Sequence, residues 1–448
     1  MTAEERSRKL LTEPVGPTLL RLAGPTAIGI FAILLFNVVD TYWVGRLGHR
    51  ELAAMSFTFP VTFVVMNICI GLGIGLMAAV ARAFGSGDRA DGVRLTSDGL
   101  LLAVLVVAVV SMAGLWLHDP IFRALGASED LLPRIREYMT PWFVGVVMLA
   151  IPMVGNSATR ATGDTKTPGF IMLGAGLVNS VLDPLFIFGW GPFPRLELFG
   201  AALSTVLSWA AAMAAAFWML GVRDRMLSLK LPRVADVLNS WRRILYVGLP
   251  TAATQLLVPV SAAVLTRLVS SYGESAVAAF GVGQRVESLA LIGIMALCSS
   301  VAPFAGQNMG AQRMDRVREA LGFGARATTV WGIGVALLLA LFARPIAHAF
   351  SDAEAVRTIA TRYFYVVPLS YAGYGAAMLA NSALAGISRP AAAATLTLGR
   401  LFGLTLPLAW LGARSAGPIG MFLGMAAANV LSGVVSLGLT RRTLSLEA

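Results

Sequence analysis

The chain has 448 residues, 57% hydrophobic and only 13% charged, against about 25% charged in soluble domains; with a mean hydropathy of +0.74, a soluble globular fold is excluded. The formal net charge of +11 sits in short loops between apolar runs and forms no stripe, which argues against nucleic-acid binding. What remains is an all-α polytopic membrane protein.

Apolar runs of about 20 residues, the length that crosses a bilayer core, recur along the whole chain. Twelve spans fit: 17–44, 53–80, 96–117, 138–159, 168–189, 199–221, 248–270, 277–304, 327–347, 363–385, 391–413 and 418–440. Ahead of the first, Glu4, Glu5 and Glu13 interrupt the basic residues Arg6, Arg8 and Lys9, and no small-residue cleavage site follows a short apolar core. That is not a signal peptide, so the first span is expected to stay. Alternate loops carry the basic excess: Arg82, Arg89 and Arg94; Arg160 and Lys166; Arg223, Arg225, Lys230, Arg233, Arg242 and Arg243; Arg313, Arg316, Arg318 and Arg326. The positive-inside rule places these loops and both termini in the cytoplasm of a cell (inner) membrane.

The longest basic connection divides the spans six and six, giving an N-lobe at 1–221, a linker at 222–247 and a C-lobe at 248–448. The second half repeats the first. Pro25 and Pro250, Gly48 and Gly273, Ala53-Ala54 and Ala278-Ala279, Gly85 and Gly310, and Asn156-Ser157-Ala158 and Asn381-Ser382-Ala383 all stand 225 positions apart. A constant offset over more than a hundred positions marks an internal duplication. Six spans per copy is an even number, so both copies cross in the same direction and are related by a pseudo-two-fold axis along the membrane normal, as in transporters built from parallel repeats.

Two carboxylates stand inside apolar spans. Asp40 lies about five residues, or roughly 8 Å, before the outer end of the first span, and Asp183 lies at a similar depth in the fifth. A carboxylate in hydrocarbon is costly, so each marks a functional site by default. Asn179 stands one turn below Asp183 and Asn37 three residues before Asp40, while Thr205 falls near the same level in the sixth span. Such an oxygen-rich set suits Na⁺, or holds a proton because two close carboxylates do not both ionise cheaply. The bland alternative is that each acid caps a helix end or pairs with an Arg. Under the repeat Asp40 maps to Leu265 and Asp183 near Thr405, so the acids belong to one half only.

The second half has its own polar pair, Glu287 in the eighth span and Arg400 in the eleventh, fit either for packing or for coupling. Other features carry less. Cys69 and Cys298 lie in apolar runs and support neither a disulfide nor a zinc site; His49, His118 and His348 lack metal-ligand spacing and are expected at the surface. Gly71-Leu72-Gly73-Ile74-Gly75 lacks the context of a phosphate loop and reads as close helix packing.

The segment Asn37-Val38-Val39-Asp40-Thr41-Tyr42-Trp43-Val44-Gly45, the loop Arg160-Ala161-Thr162-Gly163-Asp164-Thr165-Lys166-Thr167-Pro168 and the Asn179 to Asp183 spacing resemble the multidrug and toxic compound extrusion (MATE) family over essentially the whole chain. The resemblance implies export of amphipathic, mostly cationic small molecules in exchange for H⁺ or Na⁺, with no other cofactor, by a monomer whose partners are its substrates and membrane lipids. It looks closest to the DinF-like branch, which implies an N-lobe cation or proton site at Asp40, Asn179, Asp183 and Thr205, with the Ala201 carbonyl contributing; Asn37, three residues before Asp40, and Asn156 are candidate supporting polar groups beside it. The chain departs from the NorM-like branch: Gln255 replaces an acid in the seventh span, and the tenth offers Asn381 but no Asp, so a C-lobe cation site is not implied. A lipid-linked precursor flippase of related two-lobe fold is the alternative; it would need basic residues such as Arg285 and Arg400 to meet anionic head groups. An intramembrane enzyme would need a motif such as His-Glu-x-x-His or Gly-x-Ser-x-Gly, and neither occurs.

Overall fold

The computed structural model describes residues 2–228 and 233–446, which form helices and turns without a β-strand among them. Lys230, counted above with the basic loop residues, lies outside the described residues. A short helix, Ala3–Thr12, opens with Glu4 and Glu5 and has Lys9 in its last turn, charges that complement the helix dipole. The membrane helices follow in order: α1 Val15–Gly45, α2 His49–Gly85, α3 Arg89–Trp116, α4 Leu132–Ala161, α5 Lys166–Phe188, and α6 Glu197–Phe217 extended by a π-helical turn, Trp218–Arg223. The second set is α7 Val234–Ser270, α8 Glu274–Ala290 with Ile292–Gly310, α9 Met314–Leu341, α10 from Glu354 to Gly386, α11 at 390–415 and α12 at 418–446.

Among the described residues nine helices are long and apolar enough to cross a membrane, and ten if the two parts of α8 count as one span bent by 49°. Two more spans are masked by irregularities. Non-helical Ala416 and Gly417 separate α11 from α12 within one run, and a 3₁₀ turn, Val367–Ser370, interrupts α10. With these the expected twelve are present, each near its sequence-derived position. Their outer faces expose large apolar side chains, including Val109 at 68% and Leu341 at 73%, a surface suited to lipid.

The repeat holds to the residue. Both ends of α2 and α8, and both ends of α3 and α9, differ by 225 positions, as do the ends of α1 and α7 at Gly45 and Ser270. The connecting turns use left-handed backbone at matched places: Gly48 and Gly273, Gly87 and Gln312, Gly163 and Ser388. Gln312 and Ser388 hold at φ 57° a conformation that side chains other than glycine rarely adopt. The copies also differ: α10 carries a 3₁₀ turn where α4 is continuous, α11 a π-helical segment, Gly399–Thr405, where α5 is regular, and α8 is bent. α2 runs unbroken for 37 residues, whereas α8 breaks at Leu291, where the Trp331 indole donates to the Ala290 carbonyl at 2.9 Å. Gly293 leaves room for that indole, because a Cβ there would lie 2.5 Å from the ring.

The chain forms two compact units that are not the contiguous lobes expected from sequence. Met1–Ser7 joins Ile28–Ala252, and Arg8–Ala27 joins Ala253–Ala448. The breaks after Ala27 and Ala252 are again 225 apart, so α1 and α7 each contribute their first part to one unit and the remainder to the other. The region 222–247 is likewise not all linker, since α7 already begins at Val234. Hydrogen bonds of the N-terminal segment follow the same division. In the first unit Arg6 pairs with Asp224 at 2.9 Å and Arg89 with Glu4 at 3.0 Å. In the second, Arg316 donates to the Glu13 carbonyl at 2.5 Å and to Asn308 at 3.0 Å.

The glycine run behaves as packing. A Cβ on Gly71 would lie 2.7 Å from the Gly248 carbonyl oxygen, and one on Gly75 would lie 2.3 Å from that of Ile244, so α2 and the first part of α7 touch backbone to backbone. One surface expectation fails. His49 and His348 are exposed, but His118 is 5% exposed, with Nδ1 3.0 Å from Asp119 Oδ1 and its ring 4.8 Å from that of Phe122. It starts a short helix, His118–Ala124, that packs on α4.

Candidate functional site

Asp40 and Asp183 each stand five residues before the end of their helices, at Gly45 and Phe188, as the depth reading required. Both lie in the first unit and are within electrostatic range of each other and of the buried Tyr138. Asp183 is fully buried. Its Oδ1 accepts from Asn179 Nδ2 at 3.1 Å and from the Ser204 hydroxyl. Its Oδ2 is buried without a partner, and so is Oδ1 of Asp40. Among the described residues neither acid pairs with an Arg or Lys, which disposes of the ion-pair reading.

α6 supplies the opposite wall. Ala201, Ser204, Thr205 and Ser208 recur at helical spacing and share a face. Thr205 Oγ1 lies 3.4 Å from Asn179 Nδ2 and donates to the Ala201 carbonyl at 2.9 Å, which Ser204 also reaches at 3.0 Å. Thus four of the five expected residues, Asn179, Asp183, Thr205 and Ala201, form one hydrogen-bonded group, with Asp40 beside it. α5 continues through Pro184 to Phe188; proline withdraws the amide that would bond the Ser180 carbonyl, and the Ser180 hydroxyl is also unpartnered.

Sequence reasoning missed Ser204, which is fully buried and gives Asp183 its closest hydrogen bond. The signal was present in the i, i+3 spacing from Ala201. The supporting amides do not join the group. Asn37 is exposed and donates back to the Ile33 carbonyl at 2.9 Å, and Asn156 is buried with its Oδ1 unpartnered, with no bond to the acids. Unpaired buried acid oxygens beside neutral hydroxyl and carbonyl oxygens fit a proton or a small hard cation.

The loop Arg160–Pro168 has a different role. Asp164 accepts from the Thr167 amide at 3.0 Å, the Thr167 hydroxyl at 2.8 Å and Arg223 at 2.7 Å. Arg223 also holds Asp224 at 2.7 Å. Burial works to raise Asp164, but these donors outweigh it and hold the carboxyl below the usual carboxylate range.

In the second unit Glu287 and Arg400 do not form an ion pair, although they lie within electrostatic range. Glu287 accepts from the Tyr363 hydroxyl, and the Arg400 guanidinium stands over the Tyr374 ring, 4.9 Å from its centre.

The MatE family model matches residues 25–185 and again 250–411, the two copies of the repeat. The chain belongs to the MATE family. The MATE transporter VcmN of Vibrio cholerae, solved in its bent form, superposes with a TM-score of 0.92 at 28% identity, covering 99% of each chain. Among curated relatives, the FAD transporter of Shewanella oneidensis is 39% identical over 97% of this chain and 96% of its own length. A probable multidrug resistance protein NorM of Deinococcus radiodurans is 28% identical over 94% of each. The chain is thus a multi-pass membrane transporter of the multidrug efflux type.

Proposed function

We propose that this MATE transporter exports small organic molecules in exchange for H⁺ or Na⁺, with Asp40, Asn179, Asp183, Thr205 and the Ala201 carbonyl as the ion site. The observation that carries the reading is the pair of carboxyls in one unit, each with a buried oxygen lacking a partner. Buried charge of one sign is unfavourable until a proton or cation neutralises it. An ion arriving from outside therefore changes which conformation of this unit is favoured, and the cargo is released outward. The coupling equals the difference in ion affinity between the two conformations. The chain works as a monomer in the cell (inner) membrane with both termini in the cytoplasm, and the half carrying the acids performs the coupling.

Cationic amphipaths are one cargo, because they compete for the same negative charge. The 39% identical relative named an FAD transporter supports a second reading, a dinucleotide whose diphosphate is anionic and binds away from the acids. Inside-out vesicles given a fluorescent cation, and separately FAD, under an imposed pH gradient and then an imposed Na⁺ gradient test the exchange. Uptake driven by one gradient, and lost in Asp40→Asn and Asp183→Asn, is expected. Undiminished gradient-driven uptake in both variants would overturn the ion site.

A further inference from the structure

We infer that Arg400 is the group that recognises the diphosphate of an anionic dinucleotide cargo, with Glu287 as its competitor; this rests on the export reading above and specifies its second cargo. The guanidinium offers five N–H donors. Yet among the described residues Arg400 forms neither an ion pair nor a hydrogen bond; its charge stands over the Tyr374 ring, with the Glu287 carboxyl within electrostatic range but unpaired. An arginine inside a membrane span is costly and marks a functional site by default. The guanidinium stands over the Tyr374 ring, 4.9 Å from its centre, and its N–H donors remain available for two-pronged phosphate recognition.

Three further observations support a site at this place. Arg400 lies in the π-helical segment Gly399–Thr405, a geometry concentrated at functional sites because it widens the helix and redirects side chains. Gly399 and Gly403, one turn further along, are exposed, and a Cβ on either would meet nothing within 4 Å, so no neighbouring side chain covers the helix beside the arginine. Finally, Tyr371 is 1% exposed and its hydroxyl has no hydrogen-bond partner, while it lies within electrostatic range of Glu287 and Tyr374. A buried donor without an acceptor is itself unfavourable, which a phosphate oxygen would offset. Charge completes the assignment. A dianion is repelled by Asp40 and Asp183 in the first unit, whereas Arg400 attracts it. Glu287, turned to Tyr363 and not paired with Arg400, tempers that charge when no cargo is bound.

The test uses the purified full-length chain in lipid nanodiscs, titrated with FAD and with riboflavin, which lacks phosphate, and followed by flavin fluorescence. The wild type is expected to bind FAD at least about tenfold more tightly than riboflavin, and Arg400→Gln to weaken FAD by roughly 10- to 100-fold with riboflavin unmoved, as for loss of charge-assisted hydrogen bonds. Arg400→Lys falls between, and Glu287→Gln tightens FAD severalfold by removing the competing carboxylate. Equal weakening of both flavins in Arg400→Gln, weaker FAD binding in Glu287→Gln, or a wild type that does not discriminate between the flavins would each overturn the inference. Gradient-driven efflux of a fluorescent cation in the same preparation judges the export reading separately. If efflux is present and FAD fails to bind, only the cargo inference falls; if FAD binds through Arg400 and no gradient drives export, the export reading falls.

Discussion

Ser204→Ala tests how the acid pair holds its ion. The side chain is fully buried, so removing one oxygen leaves the packing nearly unchanged. Its hydroxyl has a single hydrogen to serve Asp183 Oδ1 and the Ala201 carbonyl. A hydrogen bond to an ionised partner contributes about 1.5–3 kcal/mol and one to a neutral partner about 0.5–1.5 kcal/mol. Deleting the donor therefore disfavours the ionised, empty site by about 1–1.5 kcal/mol more than the neutralised one, a factor of roughly five to ten. Thr205 does not compensate, because its hydroxyl bonds the Ala201 carbonyl. The coupling ion should then bind more tightly and leave more slowly. In proteoliposomes, export measured against outside ion concentration should reach half-saturation at a five- to tenfold lower concentration, with a reduced maximal rate. An increase in the half-saturating concentration would refute the reasoning, since Ser204 would then favour the ion-bound site.

Two predictions concern the scaffold. Gly75→Ala forces a Cβ to within 2.3 Å of the Ile244 carbonyl oxygen, and this overpacking should cost about 1–3 kcal/mol, read as a lower midpoint of thermal unfolding in detergent; Gly174→Ala, with nothing within 4 Å, should be neutral or slightly stabilising, and equal loss in both would refute the packing account. Asp164→Asn breaks the bond from Arg223 and should destabilise by about 1–3 kcal/mol at neutral pH. Because the native carboxyl is held below its unfolded value near about 4, its contribution is complete above that pH and is lost as pH falls through the depressed native value. The difference in unfolding midpoint between wild type and variant should therefore persist at pH 6 and shrink below about pH 4; a difference that grew on acidification would contradict the sign.

Much of the fold could be read from the chain because hydropathy reports transfer into lipid and the duplication reports register. The 225-residue offset found from Pro25 and Pro250 reappears in helix ends and in left-handed turns at Gly163 and Ser388, where one copy gives no glycine signal at all. Asn179, Asp183 and Thr205 were legible from depth and helical spacing. Ser204 was not singled out, because Thr205 beside it sits at nearly the same depth and only the rotation of α6 about its axis distinguishes them. The break at Leu291 carries no proline, and its cause is an indole from α9 taking the Ala290 carbonyl, a contact between helices that no local pattern encodes. The grouping of residues 8–27 with the second unit is likewise accompanied by long-range contacts, such as Arg316 reaching the Glu13 carbonyl about three hundred positions away. Asn37 looked suitable by spacing, yet in an apolar helix its amide satisfies itself on its own backbone.

The central claim is that one ion site at Asp40 and Asp183 couples to export. Simultaneous recording of internal pH or Na⁺ and of cargo in proteoliposomes of wild type and Asp183→Asn addresses it most directly. The account expects cargo movement in the wild type to be matched by opposite movement of H⁺ or Na⁺, and expects that ion movement to vanish in Asp183→Asn. Cargo-dependent ion movement at the wild-type rate in Asp183→Asn would contradict it.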